Sequence, residues 1–577
     1  MKLDVNNSIP LPEYPRPQFE RKSYLNLNGT WNYFISKSKT LDQKVEGQIL
    51  VPYPLESELS GVKRILRKDE FLHYVRKFFI PDDFDKGRIL LNIGAIDQRS
   101  EIYINGKLAG THNFGYLPLS LDITPFINKK KENEIHIVVA DDASSEIYAR
   151  GKQKYKRGGI WYTPVSGIWQ SVFLESVPLN YVKDIKFHID YDNSEIKFDI
   201  EKVGDISNIK IEIIDEDKVV GELNTNSNFT KYHFSSFKSW SCEDPFLYKL
   251  KITYLGDEIC SYFAMRKFST LNINGVKLFS LNNKPILLRG VLDQGYFLKG
   301  IYTPEKYDDY VIDIKLMKDM GFNLLRKHAK IEPMRFYYEC DKNGMIVWQD
   351  MVNGGSAYNN LLIITRPILN YQVDDTTYKH LGRSNSKSRD QFVLEVEKTI
   401  KHLYNVPSIG GWTIFNEGWG QFDSLAMCGY VRSLDSSRII DATSGWYDKG
   451  AGDCNSHHVY FKKVRLNNDY KRVLTLSEFG GYSLYIKEHA FSKKAFGYKQ
   501  MKDSSSLTNG IVKLFDNEVK PLIINEGLSC YVYTQLSDVE DEVNGLITYD
   551  RKLIKVDQNQ IKNINLELEK AFIEKYK

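Results

Sequence analysis

Short segments in which apolar and polar residues alternate fill the first third of the chain. Between residues 20 and 178 they include FLHYVRKFFIP, GRILLNIGAI, SEIYINGKLAG, ENEIHIVVAD and IWQSVFLESV, with turn residues between them. Alternation with a period of two is typical of β-strands that have one buried face. The pattern predicts an antiparallel β-sandwich over residues 1–178, with a tight hairpin turn at Asn105 and Gly106.

A second strand-rich region extends from residue 179 to residue 269. It begins near YVKDIKFHIDYDN and ends with PFLYKLKITYLGDEICSYFAMRKFS. Because its length is close to that of an immunoglobulin-like domain, we predict a second β-sandwich of that type.

Beyond residue 270, strand-like runs alternate with helical patterns, as parallel βα units do. Eight such units in about 300 residues fit a closed (β/α)8 barrel over residues 270–577. One helix is predicted to begin at a Thr303 cap and to end at Gly321, and another to begin at Ser388. The predicted strands are ILLRGV (286–291), FNLLR (322–326), MIVWQD (345–350), IGGWTIF (409–415), RIIDA (438–442), HHVY (457–460), RVLTLSEF (472–479) and YVYTQLS (531–537).

Residues 351–387 interrupt this alternation, because they are far longer than an ordinary βα loop. The segment contains the apolar runs LLIIT and PILNY, whose exposure to water would be unfavourable. We therefore favour a lid over the mouth of the barrel, with a disordered excursion as the alternative.

Composition excludes several classes of partner. The formal net charge is only +4, from 78 Lys plus Arg against 74 Asp plus Glu, without a basic stripe, so nucleic-acid binding is not expected. The sequence has neither a run of about 18 apolar residues nor a signal-peptide pattern, which predicts a soluble, non-secreted protein without a membrane partner. Six cysteines without CxxC spacing argue against a zinc knot or a disulfide framework, and for a cytoplasmic location.

Two glutamates stand at the ends of predicted barrel strands. Glu417 follows the fourth strand in TIFNEGWG, and Glu478 lies at the end of the seventh in LTLSEFGG. Catalytic groups of such barrels project from the carboxyl ends of the strands, and a facing carboxylate pair is what glycoside hydrolysis requires. Asn416 could hold a sugar hydroxyl without adding charge. Each acid by itself could instead be a helix cap or an ion-pair partner.

The order of the three predicted domains resembles glycoside hydrolase family 2, which contains β-galactosidases, β-glucuronidases and β-mannosidases. The resemblance covers essentially the whole chain and implies a jelly-roll sandwich, an immunoglobulin-like sandwich and a TIM barrel. It also implies a retaining mechanism with Glu417 as acid/base, Glu478 as nucleophile and no organic cofactor. The motifs that carry it are NLNGTW (26–31), SEIYINGK (100–107), PVSGIWQSVFLE (164–175), RGV (289–291), GFNLLR (321–326), IFNE (414–417) and SEFGG (477–481).

The resemblance implies supporting roles for two further residues. Arg326 would keep Glu478 ionised, and the hydroxyl of Tyr460 would orient its oxygen. Of the adjacent His457 and His458, one is expected to point into the barrel and the other out of it, which disfavours a shared metal site. The full set of candidate substrate-binding residues is Asn416, Arg326, Tyr460, His458, Asp293, Trp161, Tyr533 and Trp446, with His328 as a weaker one.

The chain departs from the family at positions that bear on the substrate. The Asn-x-Lys motif with which the family's β-glucuronidases recognise the sugar carboxylate is absent, since Asn544 is followed by Gly545 and Leu546. The Glu-x-His magnesium ligands of its galactosidases are also absent, so no metal is expected. A sandwich aspartate of the family aligns with Trp161, and its eighth-strand tryptophan aligns with Tyr533. We expect Trp161 to reach the barrel mouth and stack on a sugar; an ordinary domain interface is the alternative.

These features predict an exo-acting retaining glycosidase, most plausibly β-galactosidase-like, which acts on carbohydrate and could form a homo-oligomer. The missing motif weakens a β-glucuronidase assignment, and an α-L-arabinofuranosidase stays open. A barrel that binds carbohydrate without catalysis is the alternative of another class, against which the retention of both glutamates speaks. A carboxyl separation of about 5 to 5.5 Å would indicate retention, and about 9 Å would indicate inversion.

Overall fold

The computed structural model describes residues 9–357 and 371–577. Over these residues the chain forms 32 β-strands and seven α-helices, arranged as two β-sandwiches and a parallel barrel. This arrangement confirms the predicted fold class. The bounds of the three units, 1–178, 179–269 and 270–577, stay a prediction.

The first sandwich consists of two antiparallel sheets, with the orders β1-β12-β5-β9 and β3-β2-β4-β10-β7-β8, and a short β6-β11 pair. Its core includes the buried rings of Trp31 and Tyr74. The predicted hairpin turn is confirmed, since Asn105 and Gly106 join β7 to β8 with φ of 50° and 76°. The strands are β1 (Tyr24–Asn26), β2 (Gly29–Ser36), β3 (Gly47–Val51), β4 (Phe71–Phe78), β5 (Arg88–Ile93), β6 (Ile96–Asp97), β7 (Arg99–Ile104), β8 (Lys107–His112), β9 (Leu119–Asp122), β10 (Asn133–Ala140), β11 (Gly167–Ile168) and β12 (Val172–Val177).

The second sandwich has sheets of the orders β13-β14-β17 and β16-β15-β18-β19, with alternating apolar residues between them. A three-stranded sheet, β20-β21-β22, follows. Its Phe279 ring meets Trp348 inside the barrel edge to face, with centroids 5.6 Å apart, so this sheet covers the amino-terminal end of the barrel. The strands are β13 (Tyr181–Asp190), β14 (Glu195–Val203), β15 (Ile209–Asp215), β16 (Lys218–Thr225), β17 (Phe229–His233), β18 (Tyr248–Tyr254), β19 (Asp257–Phe263), β20 (Phe268–Ile273), β21 (Val276–Leu281) and β22 (Lys284–Pro285).

The barrel is an eight-stranded parallel sheet of the order β27-β26-β25-β24-β23-β32-β29-β28. All eight predicted strands are present, and the sixth begins three residues before the predicted HHVY. The sheet is nearly closed, with β27 and β28 at its two ends. The strands are β23 (Leu288–Asp293), β24 (Leu324–Lys327), β25 (Ile346–Asp350), β26 (Ile409–Asn416), β27 (Ile439–Ser444), β28 (Cys454–Val459), β29 (Val473–Gly480) and β32 (Cys530–Thr534), with a short β30 (Tyr482–Ser483) and β31 (Lys499–Gln500) pair beside them.

Two predicted helix starts are wrong. The first helix begins at Asp308 rather than after Thr303, because the Thr303 hydroxyl instead donates to the carbonyl of Trp169, 2.5 Å away. The helix predicted from Ser388 begins at Ser386 and is capped by Asn385. The helices are α1 (Asp308–Asp319), α2 (Met334–Asn343), α3 (Ser386–Leu403), α4 (Ser424–Leu434), α5 (Ser504–Leu514), α6 (Lys520–Glu526) and α7 (Gln558–Tyr576).

A long loop of the first sandwich, residues 141–166, reaches the carboxyl end of the barrel. The backbone N–H groups of Arg150 and Gly151 donate to the carbonyl of Asn353 over 3.0 and 2.9 Å. The N–H of Thr163 donates to Oε1 of Glu540 over 2.9 Å. The sandwich therefore supplies one wall of the barrel mouth.

Part of the predicted lid lies outside the described residues, including the whole of LLIIT. The described part, from residue 371, packs on the loops that follow β26 and β27. Asp375 accepts hydrogen bonds from Gln421 Nε2 and from the N–H of Ser424, over 3.0 and 3.1 Å, and Val373 packs against Tyr447. The function of this segment as a lid stays a prediction.

Two features bear on the predicted environment of the protein, namely membrane-spanning helices and disulfide bonds. No helix within residues 9–357 and 371–577 has the length and apolar character needed to cross a membrane. All six cysteines lie within those ranges and are unpaired there.

Candidate active site

Arg326 lies at the centre of a buried polar group in the open end of the barrel. It is the third residue of β24, and only 1% of it is exposed. Its guanidinium forms a bidentate pair with Asp350, in which both nitrogen–oxygen distances are 3.1 Å. It also donates to Asn416 Oδ1 over 2.7 Å and to Glu478 Oε1 over 3.1 Å. One side chain thus connects the ends of four barrel strands.

Glu417 stands one residue beyond the end of β26, in an unusual backbone conformation. Its φ is 51°, in the left-handed region that few residues other than glycine adopt. Its N–H donates to the carbonyl of Ser444 over 2.9 Å, which holds this conformation. The carboxylate is thereby turned toward β28, where its Oε1 lies 2.9 Å from Nδ1 of His458.

The hydrogen bonds of His458 determine which oxygen of Glu417 can carry a proton. Nε2 of this histidine lies 3.0 Å from Ser444 Oγ and 3.3 Å from Arg326 Nη1, and a guanidinium can only donate. Nε2 is therefore the acceptor, and the neutral ring carries its proton on Nδ1. That proton is donated to Oε1 of Glu417, so Oε2 is the oxygen free to hold an acidic proton.

Glu478, the sixth residue of β29, is 5% exposed and held at both oxygens. Tyr460 Oη donates to Oε2 over 2.6 Å, and Arg326 Nη1 donates to Oε1. Burial raises the pKa of Glu478, but the charge of the Arg326 guanidinium and the hydrogen bond from Tyr460 outweigh burial, so this pKa stays well below the ordinary value. Glu478 is therefore ionised at neutral pH, as a nucleophile must be.

The carboxylates of Glu417 and Glu478 face each other across a short gap. One oxygen of each lies within 4.8 Å of the other and of a ring nitrogen of His458. Carboxyl groups are about 5 to 5.5 Å apart in retaining glycosidases and about 6.5 to 9.5 Å apart in inverting ones. The spacing fits direct attack by one carboxylate better than activation of a water between the two.

Glu417, His458 and Glu478 also offer three ligand atoms that a divalent cation could share. Arg326 places a positive charge 3.1 Å from Glu478, which weakens the binding of a cation there. His457 takes no part, because its Nε2 points away toward the carbonyl of Asn467, 3.1 Å distant. The two adjacent histidines thus point in opposite directions, as their alternation on a strand predicts.

Trp161 reaches the barrel mouth, where it meets another indole. Its ring stacks on Trp419, two residues after Glu417, with centroids 4.9 Å apart and planes 15° apart. Lys154 Nζ lies 3.5 Å from the Trp161 ring centre and must be on the opposite face, because Trp419 occupies the first. With both faces covered, Trp161 supports Trp419 rather than offering a free platform to a sugar.

The structure does not bring Asp293 into the group around Arg326. Asp293 pairs in register with Lys327, the neighbour of Arg326 on β24, and accepts from its Nζ over 2.6 Å. Lys327 Nζ lies 4.2 Å from the ring centre of Phe336 on α2. Alternation along the strand therefore turns this ion pair toward the helix layer, while Arg326 points inward.

Tyr533 packs in the helix layer, and Trp446 packs in an apolar cluster beside the barrel mouth. The Tyr533 ring is buried against Phe515, with centroids 6.0 Å apart, and its hydroxyl accepts from the N–H of Tyr482. The next residue of β32, Thr534, points inward instead, with its Oγ1 2.8 Å from Tyr460 Oη. Trp446 packs beside the apolar cluster that Val373 helps to form under the predicted lid segment.

Several residues of the site were not among the candidates. Asp350 is the last residue of the predicted third strand, so its position at a strand end could have identified it as a site residue. His328, the weaker candidate, is in contact with it, with His328 Nδ1 2.6 Å from Asp350 Oδ2. The Tyr498 ring stacks on Tyr460, with centroids 3.9 Å apart. Lys152 comes from the sandwich loop and lies with Nζ 4.2 Å from the Trp419 ring centre. No local pattern marks Tyr498 or Lys152, because irregular loops carry both.

Comparison with known families agrees with this geometry. Residues 271–528 match the family model described as "Glycosyl hydrolases family 2, TIM barrel domain", and residues 27–178 match "Glycosyl hydrolases family 2, sugar binding domain". Both models belong to one family of glycosyl hydrolases, and the barrel match contains the two facing glutamates. The chain belongs to glycoside hydrolase family 2.

Curated relatives carry two different activities in their names. The chain is 27% identical over 426 residues to a putative β-glucuronidase of Formosa agariphila, which covers 70% of this chain and 47% of that protein. It is 24% identical over 388 residues to a β-galactosidase of Halalkalibacterium halodurans, which covers 64% of this chain and 36% of that protein. The chain thus spans about half or less of the length of these relatives.

Solved structures share the fold over nearly the whole chain. A β-D-glucuronidase of Dictyoglomus thermophilum has a TM-score of 0.75 at 18% identity and covers 96% of this chain and 98% of that one. A family 2 β-galacturonidase of Eisenbergiella tayi, bound to galacturonate, has a TM-score of 0.70 at 16% identity and covers 96% and 99%. At these identities the likeness demonstrates a common fold.

Proposed function

We propose that this protein is a retaining exo-glycosidase that removes a terminal sugar from an oligosaccharide or glycoconjugate. The observation that carries the proposal is the gap of at most 4.8 Å between an oxygen of Glu417 and one of Glu478, in line with the retaining arrangement. The sandwich loop with Trp161 occupies one side of the barrel mouth. A mouth walled in this way suits a single terminal sugar better than an extended chain.

In the first step, Glu478 attacks the anomeric carbon and forms an ester bond to it. The bond from that carbon to the leaving oxygen breaks, and this oxygen takes the proton held on Oε2 of Glu417. Arg326 and Tyr460 each bind one oxygen of Glu478, which fixes the direction of attack. Asn416, whose Oδ1 already accepts from Arg326, is left with its amide N–H groups to donate to a sugar hydroxyl.

In the second step, Glu417 acts as the base. It takes a proton from a water that enters where the leaving group stood, and the oxygen of this water attacks the anomeric carbon. The ester bond to Glu478 breaks, so its carboxylate is regenerated and Glu417 is protonated again. Two inversions at one carbon give net retention.

The terminal sugar is either a neutral β-hexoside or a β-uronide. A β-galactoside is favoured by the absence of the Asn-x-Lys motif and by the names of several relatives, including that of Halalkalibacterium halodurans. A β-uronide is favoured by the names of other relatives and by the positive charge of the largely buried Lys152 side chain. An α-L-arabinofuranoside remains a candidate of the same family. Location in the cytoplasm and a homo-oligomeric state stay predictions.

Two substitutions with a panel of 4-nitrophenyl glycosides test the mechanism. Glu478→Gln is expected to abolish turnover while the protein stays folded by circular dichroism. Glu417→Ala is expected to lose activity and to regain it with azide on a substrate whose leaving group needs no protonation, giving a glycosyl azide of retained configuration. If neither result is obtained, the assignment of roles to the two glutamates is wrong.

A carbohydrate-binding protein without catalysis is the rival of another class. It predicts measurable sugar binding without hydrolysis of any glycoside in the panel. Against it stands the geometry around Glu478, where a nucleophile is ionised and oriented by two donors, although binding alone requires neither.

A further inference from the structure

Lys152, from the loop of the first sandwich, is a largely buried cation near the two glutamates. Lys152 is 7% exposed, and its side chain lies over Trp419, with Nζ 4.2 Å from the ring centre. Within residues 9–357 and 371–577, no hydrogen bond or ion pair reaches its ammonium. A charged group on a largely buried side chain is unfavourable without polar partners. Because Lys152 Nζ is not among the fully enclosed polar atoms that lack a partner in the described residues, its open side can take a ligand that supplies them.

The surroundings of Lys152 locate it at the sugar pocket. The charges that act on it belong to Glu542, Glu417, Glu478 and Arg326. Two of these are the catalytic glutamates, and Trp419, on which it lies, follows Glu417 by two residues. The ammonium therefore lies beside the place where the proposed mechanism puts the anomeric carbon of the sugar.

We propose that Lys152 binds the C6 carboxylate of a terminal uronic acid and sets a preference for β-uronides over neutral β-hexosides. The inference rests on the proposed glycosidase function and adds a specificity-determining residue to it. An ammonium has three donors, and its hydrogen bonds to a carboxylate are stronger than those to a neutral hydroxyl. A carboxylate thus supplies the partner that Lys152 lacks.

In the loop after β32, where the family's β-glucuronidases carry their Asn-x-Lys motif, this chain has Leu546 at the position of the lysine. Asn544 is fully buried there, and its amide donates to Glu542 Oε1 over 3.0 Å and accepts from Gln535. Lys152 enters from the sandwich loop instead. Carboxylate recognition has therefore moved from the barrel to the sandwich.

A second explanation of Lys152 makes a different prediction. Its charge could merely offset the negative charges of Glu417, Glu478 and Glu542. In that case its removal would disturb the hydrolysis of every glycoside to the same extent. The effect of removing the Lys152 charge on a neutral glycoside therefore separates the two explanations.

The test uses two pairs of 4-nitrophenyl β-glycosides, glucuronide with glucoside and galacturonide with galactoside, whose members differ only at C6. We expect the unmodified protein to prefer the uronide of at least one pair. Lys152→Met should lower kcat/KM on that uronide about 100-fold and on its neutral partner less than about threefold. Lys152→Arg, which keeps the charge, should retain part of the preference.

Lys154→Met is the matched control. It removes the same charge from the same loop, on the far side of Trp161, and is expected to leave the ratio of uronide to neutral activity unchanged. Equal losses on both members of a pair with Lys152→Met would overturn the proposal. So would hydrolysis of neutral glycosides alone by the unmodified protein.

Binding separates failure of this inference from failure of the proposed function. Calorimetric titration with glucuronate, galacturonate, glucose and galactose needs no turnover, and Glu478→Gln can serve as the inactive host. The uronates should bind more tightly than the neutral sugars, and Lys152→Met in that host should weaken uronate binding by at least about tenfold. Equal binding of uronate and neutral sugar would refute the role of Lys152 even in an active enzyme.

Discussion

The hydroxyl of Tyr460 donates a hydrogen bond of 2.6 Å to Oε2 of Glu478. Burial and the neighbouring Glu478 charge raise the pKa of this tyrosine well above its ordinary value, so its hydroxyl keeps its proton and donates at neutral pH. Its partner Glu478, the proposed nucleophile, is thereby held in one rotamer with its second oxygen on Arg326. Two donors on one carboxylate leave it little freedom to rotate away from a bound sugar.

Tyr460→Phe is expected to lower kcat about 10- to 100-fold, because one of the two donors that orient Glu478 is lost. Since the hydroxyl also lowers the pKa of Glu478, the acidic limb of the kcat/KM profile should move to higher pH. Tyr533→Phe, which alters a tyrosine that faces the helix layer, is the control and should change neither quantity. An unchanged pH profile with Tyr460→Phe would show that the hydrogen bond does not tune the nucleophile.

Trp161→Ala should raise KM several-fold, since aromatic stacking contributes about 1 kcal/mol and Trp419 would lose the ring that supports it. The melting temperature should fall only slightly. Trp446→Ala removes an indole of the same size near the barrel mouth and serves as the control for the loss of ring volume. A large loss of thermal stability with unaltered kinetics would assign Trp161 to domain contact alone.

Zinc ions are expected to inhibit the enzyme in competition with substrate, because Glu417, His458 and Glu478 present three ligand atoms within 4.8 Å of one another. His458→Gln should raise the inhibition constant for zinc more than it raises KM. Treatment with a chelator should leave the activity of the purified protein unchanged; loss of activity that zinc or magnesium restores would indicate a resident metal.

Glu56 should make the protein less stable as the pH rises. Burial raises its pKa to about 8, although hydrogen bonds from Ser166 oppose the shift. The folded state therefore keeps a proton that the unfolded chain releases near the ordinary value of 4.5. The free energy of unfolding should decline between about pH 4.5 and pH 8, because the unfolded state binds fewer protons in that range.

Denaturant titrations at several pH values measure this decline. Glu56→Gln, which cannot ionise, should make it shallower, whereas Glu13→Gln alters an exposed acid of the same sandwich and should not. An identical slope for Glu56→Gln and the unmodified protein would mean that Glu56 is already ionised in the fold.

The strands and the two glutamates were accessible from the sequence because both follow from short-range patterns. Alternation and apolar runs mark strands, and Glu417 and Glu478 each stand where such a run ends. Arg326 and Asp350 obey the same rule. The helix starts at Thr303 and Ser388 were wrong because several residues nearby can cap a helix, and tertiary contacts decide among them.

The direction of a side chain at a strand end could not be predicted as securely. Asp293 and Tyr533 stand at the carboxyl ends of their strands, yet a shift of one residue turns a side chain to the other face of a sheet. Lys152 and Tyr498 reach the site from irregular loops, whose paths depend on the packing of the whole molecule. Periodicity carries no information about such positions.

The hydroxyl of Tyr162 bonds to the carboxylate of Glu542, 380 positions further along the chain. This wall of the pocket can close only after the sandwich and the last strand of the barrel have both reached their places. Catalytic competence is therefore among the last properties that the folding chain acquires. During unfolding, separation of the sandwich from the barrel should therefore abolish activity before the circular dichroism signal of the strands and helices changes.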